Sequence, residues 1–256
     1  MLTNIRIVLV RTFHSGNIGS VARAMKTMGL TDLVLVNPTD FSSSSGMLEA
    51  KKMARTAEDV LQNSSQVSSL YDALKDCQIV VASTARTRGY DLPYLDPEES
   101  AQKLLSGATK NKVALVFGPE RMGLSNDDLQ LCKYRVTIPT HPDYSSLNLA
   151  AAVQTLSYEV YKTFLKLSSS DSSIQSLQAN EMDSRDLPDT HSLEQLYSHF
   201  EKTLGDTGFL IKNHPGELLQ KIRQIFTRSE LDKSELNILR GILASVDKYT
   251  DKNNTH

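Results

Sequence analysis

The sequence predicts an α/β protein built on a parallel sheet and followed by a small helical module. Three observations lead there. The apolar runs Ile5–Val10 and Lys112–Phe117 are not interrupted by regular polar positions, as expected of strands covered on both faces. A helical repeat separates the first run from a second one at residues 33–36, which makes a βαβ unit with a right-handed crossover. Beyond residue 192 strand-like runs cease, and three helical repeats follow.

Taken in order, the first strand, residues 5–10, gives way to the polar turn Arg11-Thr12-Phe13-His14-Ser15-Gly16. From Asn17, residues Ile18, Val21, Ala22, Met25 and Met28 mark one apolar helix face, and Gly29 ends the helix. The second strand closes at Asn37-Pro38. A helix is expected over residues 48–60, a short one over 70–76, and a strand over 78–82 followed by the polar segment Ser83-Thr84-Ala85-Arg86-Thr87-Arg88-Gly89-Tyr90. Pro97 suits the first turn of a helix over 97–105. The strand at 112–117 is broken by Gly118-Pro119-Glu120, and a brief helix over 124–131 has Ser125 or Asn126 as a possible cap. A strand at 134–138 and a long helix from Ser146 to about Lys166, with Ser146 or Asn148 as its cap, complete a first domain, residues 1–166. Residues 167–192 are serine-rich and polar, a linker with too little apolar material to order itself. Helices at 193–204, 216–226 and 233–246 form a three-helix module within 193–250, and 251–256 is a tail.

Composition narrows the function classes. With 39% hydrophobic residues the 256-residue chain can build one large core with an appendage, and its net charge of −2 argues against coating nucleic acid through bulk charge. There is no run long and apolar enough for a membrane span, and no signal pattern at Met1-Leu2-Thr3-Asn4-Ile5-Arg6, so a cytoplasmic protein without membrane contact is expected. Cys77 and Cys132 lack metal-ligand spacing and are expected to be buried free thiols, with no metal site.

Three polar, glycine-bearing segments stand where a strand passes into a helix: Asn17-Ile18-Gly19-Ser20-Val21-Ala22-Arg23, Phe117-Gly118-Pro119-Glu120-Arg121-Met122-Gly123-Leu124, and Ile138-Pro139 followed by Ser146-Leu147-Asn148-Leu149-Ala150-Ala151-Ala152. A dinucleotide-dependent oxidoreductase is disfavoured, because Gly16-Asn17-Ile18-Gly19-Ser20 lacks the third glycine of the phosphate fingerprint. In this order and spacing the three segments resemble the motifs of the SPOUT superfamily of RNA 2′-O-methyltransferases. The segment 142–154 and Glu235-Leu236-Asn237-Ile238-Leu239-Arg240-Gly241 are similar to the branch that methylates cytidine or uridine at nucleotide 32 of the tRNA anticodon loop.

The resemblance implies an α/β sheet with a deep trefoil knot in its C-terminal part, S-adenosylmethionine as cofactor, tRNA as substrate, and a homodimer whose site draws on both subunits. By motif, Ser83, Thr84, Ala85, Gly118, Ile138, Ser145, Ser146 and Leu147 are expected to contact the cofactor. Gly118 would let the backbone approach the ligand. Arg23 takes the central catalytic place, with Asn17, Glu120, Ser146 and Asn148 as the other polar matches. Asn17 and Asn148 can orient Arg23 or the RNA backbone; Glu120 can pair with an arginine, steady a loop through amides, or sit at the start of the following helix. RNA contact is assigned to Arg11, Arg23, Arg86 and Arg88 near the motifs, and to Lys221, Arg223, Arg228 and Arg240 in the helical module. The alternatives are a 2′-O-methyltransferase of another RNA such as rRNA, or a knotted RNA-binding module without turnover.

Overall fold

The computed structural model describes residues 1–85, 90–169, 185–210 and 215–253. The chain divides into two compact units, Met1–Ser184 and Arg185–His256. The first holds seven parallel strands, β1 (Ile5–Val10), β2 (Asp32–Val36), β3 (Ser65–Val67), β4 (Cys77–Ser83), β5 (Tyr94–Leu95), β6 (Lys112–Phe117) and β7 (Tyr134–Val136), in the order β3-β2-β1-β6-β4-β7-β5. Every residue from Ile7 to Val10 and from Val113 to Phe117 is buried, which is why these strands show no polar alternation.

Helix α1 (Ser15–Thr27) buries Ile18, Val21, Ala22 and Met25 as its repeat predicts, and starts two residues before Asn17. Gly19 is required there: a Cβ would stand 2.0 Å from the Ala50 carbonyl oxygen of α2 (Ser44–Ala54). The single helix expected over 48–60 is three pieces. Ser43 caps α2, whose C-cap Arg55 takes φ 56°, and a 3₁₀ turn (Arg55–Ala57) leads into α3 (Glu58–Gln62). After α4 (Leu70–Leu74), α5 (Pro97–Gly107) begins with a capping box between Asp96 and Glu99 and has Pro97 in its first turn. Helix α6 (Asn126–Gln130) is capped by Ser125. Strand β7 stops at Val136, two residues short of the expected end, and α7 (Leu149–Ser168) begins three residues later than expected, with Asn148 as its cap.

At the N-terminal end of the sheet Arg6 of β1 ties together β2, α4 and the turn before β4. Its guanidinium donates to Asp32 at 3.2 Å, to Asp76 at 2.6 Å and to the Ala73 carbonyl oxygen at 2.8 Å, and Lys112 reaches the same Asp32 at 3.0 Å. Cys77 and Cys132 are buried free thiols, and burial pushes the Cys77 pKa up to about 12.

The second unit consists of α8 (Thr190–Asp206), α9 (Pro215–Ser229) and α10 (Lys233–Asn253). Leu196, Leu231, Leu236 and Leu243 make its core, with Phe200 and Phe226 packed against them. Asp247 ties α10 to α8 by accepting from Thr203 at 2.5 Å and pairing with His199 at 3.2 Å. The expected linker is bounded by α7, which runs to Ser168, and α8, which starts at Thr190 behind its cap Asp189; residues 170–184 lie outside the described residues.

Candidate active site

Because all seven strands run the same way, the segments leaving β4, β6 and β7 emerge on one edge of the sheet, together with the turn that leaves β1. There Ser83–Ala85, residues 117–124, Ile138, Thr140 and residues 145–147 enclose a cavity of about 160 Å³, with Leu129 of α6 and with Leu149 and Ala152 from the start of α7. All eight residues expected to contact a cofactor line it. Ile138, which a core strand could equally have claimed, lies beyond the end of β7 and is only half-buried.

The lining suits an adenosine-type ligand. Ser83, Thr84, Thr140, Ser145 and Ser146 supply hydroxyls, while Phe117, Ile138, Leu147 and Leu149 supply apolar walls. The Thr84 amide donates to the Val136 carbonyl oxygen at 3.0 Å, which ties the β4 segment to β7. Its hydroxyl oxygen is buried with no hydrogen-bond partner among the described residues, so a donor or acceptor on a ligand would satisfy it.

Gly118 lines the cavity and also has a role within the loop. A Cβ there would stand 2.4 Å from both the Gly123 carbonyl carbon and the Leu124 nitrogen. What comes close is the chain's own backbone, folding back at Gly123 with φ 68°. The glycine pair therefore shapes the loop that forms one wall of the cavity.

A polar relay joins the three motifs. Asn148 Oδ1 accepts from the amides of Ala150 (2.9 Å) and Ala151 (3.4 Å), which fixes the orientation of its side-chain amide. Its Nδ2 then donates to Asn17 Oδ1 at 3.1 Å, and Asn17 Nδ2 donates to Glu120 Oε1 at 2.8 Å. Glu120 also accepts from the amides of Phe13 (3.1 Å) and His14 (3.4 Å). Of the roles open to it, Glu120 steadies a loop through amides, here the β1–α1 turn. Partial burial opposes its ionisation, but the hydrogen bonds from Asn17 and the backbone outweigh that and hold its pKa below the usual value.

The residues expected to contact RNA fall in several places. Arg11, at φ 50° on leaving β1, forks onto Asp128. Asp128 also closes the Ser125 capping box of α6, so Arg11 fastens that helix to the sheet. Arg23 is exposed on α1 and does not line the cavity. Arg86 and Arg88 lie outside the described residues. In the second unit Lys221, Arg228 and Arg240 are exposed, with Arg240 donating to Gln195 at 3.2 Å. Arg223 is engaged within the unit: it forks onto Glu194 and lies 4.3 Å from the Tyr197 ring centroid. Sequence reasoning passed over Arg121 and Met122, which line the cavity at the two positions between Glu120 and Gly123. Among the described residues no group of three or more His, Cys, Asp or Glu side chains could hold a metal ion, and no helix is long and apolar enough to cross a membrane.

The first unit thus presents a ligand cavity at the C-terminal ends of a parallel sheet, walled by three motif loops that one relay binds together, and its family is one of RNA methylases. The chain belongs to the SpoU rRNA methylase family, which matches residues 4–158. Residues 191–255 match the C-terminal domain of the tRNA methyltransferase TrmJ. The TrmJ tRNA (cytidine/uridine-2′-O-)-methyltransferase of Citrobacter koseri is 49% identical over 248 residues, 97% of this chain and 98% of that protein. Its Salmonella typhimurium counterpart is 48% identical over the same shares. Among solved structures, TrmJ from Z. mobilis ZM4 matches with TM-score 0.79 and 32% identity over 94% of this chain and 98% of that one. A probable methylase family protein from Haemophilus influenzae Rd KW20 matches with TM-score 0.60 and 41% identity over 99% and 100%.

Proposed function

We propose that this protein is a cytoplasmic, S-adenosylmethionine-dependent tRNA methyltransferase that acts on the ribose 2′-oxygen of cytidine or uridine at nucleotide 32 of the anticodon loop. The observation that carries the reading is the convergence of Asn17, Glu120 and Asn148 in one relay beside the cavity lined by Gly118 and Ser146. The near full-length likeness to TrmJ proteins supports the substrate. The knot belongs to the same proposal. Strand β7 lies between β4 and β5, which precede it in the chain, and this order supports a chain that passes through its own earlier loop.

When bound, S-adenosylmethionine supplies an electrophilic sulfonium methyl. The protein's part is alignment and the hydroxyl proton. Ser83–Ala85, Gly118 and Ser145–Leu147 hold the cofactor, Thr84 completes its hydroxyl's bonding on it, and Ile138 and Leu149 exclude water. A guanidinium offers donors and no acceptor, so Arg23 does not remove the proton. Its fork holds the ribose oxygen and a phosphate, and the proton passes to a phosphate oxygen or water. A homodimer in which Arg23 serves the partner's cavity accounts for its absence from the lining of its own. Arg23→Lys keeps the charge and loses most turnover; a near-normal rate in that variant removes the role.

Nuclease digestion and mass spectrometry of tRNA from cells with and without the protein test the whole reading. Loss of ribose methylation at nucleotide 32 on deletion is expected. Unchanged tRNA with altered rRNA methylation would move the substrate, and no change in any RNA would leave a binding module.

A further inference from the structure

We propose that Arg121 is a second cation beside the Arg23 of the proposed dimer, and that it receives the phosphate on the 3′-oxygen of the target ribose. The inference rests on the tRNA reading and deepens it. Among the described residues lining the cavity, Arg121 is the one cation and Glu120 the one carboxylate. The two do not pair, because Glu120 is turned toward Asn17 and the amides of Phe13 and His14. Arg121 makes no hydrogen bond or ion pair among the described residues, and it is exposed. Of the other arginines described near the motifs, Arg11 is held by Asp128 and Arg23 does not line the cavity of its own chain, so within the chain Arg121 is the arginine at this site.

Position decides which anion fits. The hydroxyl-bearing segment at Ser83 and Thr84 is half-buried, whereas Arg121, Met122 (66% exposed) and Gly123 form the solvent-facing stretch of the second motif. RNA must enter from solvent, and every internal ribose carries a phosphate on its 3′-oxygen, next to the 2′-oxygen that reacts. A guanidinium at the cavity mouth can fork onto that phosphate and so fix the ribose. The recognised chemistry is a phosphodiester oxyanion.

The test uses the full chain with Arg121→Ala and Arg121→Lys, unmodified tRNA over a salt series, and S-adenosylhomocysteine titrated calorimetrically. Arg121→Ala is expected to weaken tRNA binding roughly tenfold, the loss of one charged hydrogen-bonded contact. The slope of log affinity against log salt should shrink by about 0.7, the share of one phosphate on a single strand. Arg121→Lys should restore the slope but only part of the affinity, since the fork is lost. S-adenosylhomocysteine should bind all three proteins alike. An unchanged tRNA slope in Arg121→Ala overturns the inference. So does a matching loss of S-adenosylhomocysteine affinity, which would assign the cation to the cofactor's carboxylate. Wild-type protein that neither binds nor methylates tRNA removes the underlying reading and this inference with it; wild-type protein that does both beside an unaltered Arg121→Ala removes the inference alone.

Discussion

Replacing Asn148 by alanine and by aspartate separates two tasks that one side-chain amide performs. Its oxygen caps the 20-residue helix α7, and its nitrogen holds Asn17. Alanine removes both contacts. The lost cap costs about 1 kcal/mol, and with a melting shift of roughly 2–4 °C per kcal/mol for a unit of this size the unfolding temperature should fall by a few degrees. Aspartate keeps the capping oxygen and gains roughly 0.3–1 kcal/mol from a negative charge at a helix N-terminus. That gain offsets the lost bond to Asn17, worth about 0.5–1.5 kcal/mol, so Asn148→Asp should unfold near the wild-type temperature. Its activity should not survive. Asn17 would face a carboxylate oxygen on each side, the new one and Glu120, and whichever way its amide turns one contact becomes oxygen against oxygen. We expect turnover to drop at least tenfold, a barrier increase of about 1.4 kcal/mol or more. Thermal unfolding and tritium transfer from labelled S-adenosylmethionine to tRNA read the two effects separately. An Asn148→Asp protein with wild-type turnover would refute the relay as a positioning device.

Two further perturbations probe opposite edges of the sheet. Gly118→Ala forces Gly123 and Leu124 to move, since the added carbon would sit 2.4 Å from their backbone. Calorimetry should show at least a tenfold loss of S-adenosylhomocysteine affinity, about 1.4 kcal/mol, with the circular dichroism spectrum retained. Arg6→Met leaves Asp32 and Asp76 without their shared partner at the far edge. Because Asp76 is half exposed, the cost should be about 2–3 kcal/mol in urea unfolding, below that of a fully buried pair, with turnover at 20 °C unchanged. The same contact sets an acid limit. Burial opposes ionisation of Asp76, but the Arg6 hydrogen bond and charge outweigh it and lower its pKa from 3.8. Its contribution is complete above the unfolded value and is lost as pH falls through the lower folded one. Stability should therefore drop below about pH 4, more steeply in wild type than in Arg6→Met.

Much of the fold was legible because burial on both faces leaves an unambiguous record. Residues 5–10 and 112–117 are the strands the sequence indicates, and the α1 repeat buries the residues it names. Missed elements had no such record. β3 is Ser-Gln-Val and β5 is Tyr-Leu, edge strands too short and too exposed for a pattern. The break at Arg55 was hidden because a positive φ in arginine leaves no mark on a sequence without glycine there. In the site, the motif order led to the cavity-lining residues, but not to the contacts among them. The pairing of Arg11 was not legible because its partner Asp128 lies 117 positions away. The second demand on Gly118 was hidden because the backbone that crowds it returns only through the turn at Gly123.

The sheet order explains why residues so far apart in sequence act as one site. Strands β1, β6, β4 and β7 are consecutive neighbours, so the four segments that leave them emerge side by side. The turn after β1 therefore meets the loop after β6, and Glu120 can reach Phe13, His14 and Asn17. Inserting β7 between β4 and β5 brings the third motif back toward the middle of the sheet. If β7 had added at the open edge, beyond β5, the segment that follows it would leave the sheet one strand further from β4 and β6. Asn148 bonds Asn17 across 131 positions because β7 is inside the sheet. The strand order and the cavity are thus one constraint: a change that freed β7 to pair at the edge would unmake the cavity and the relay together.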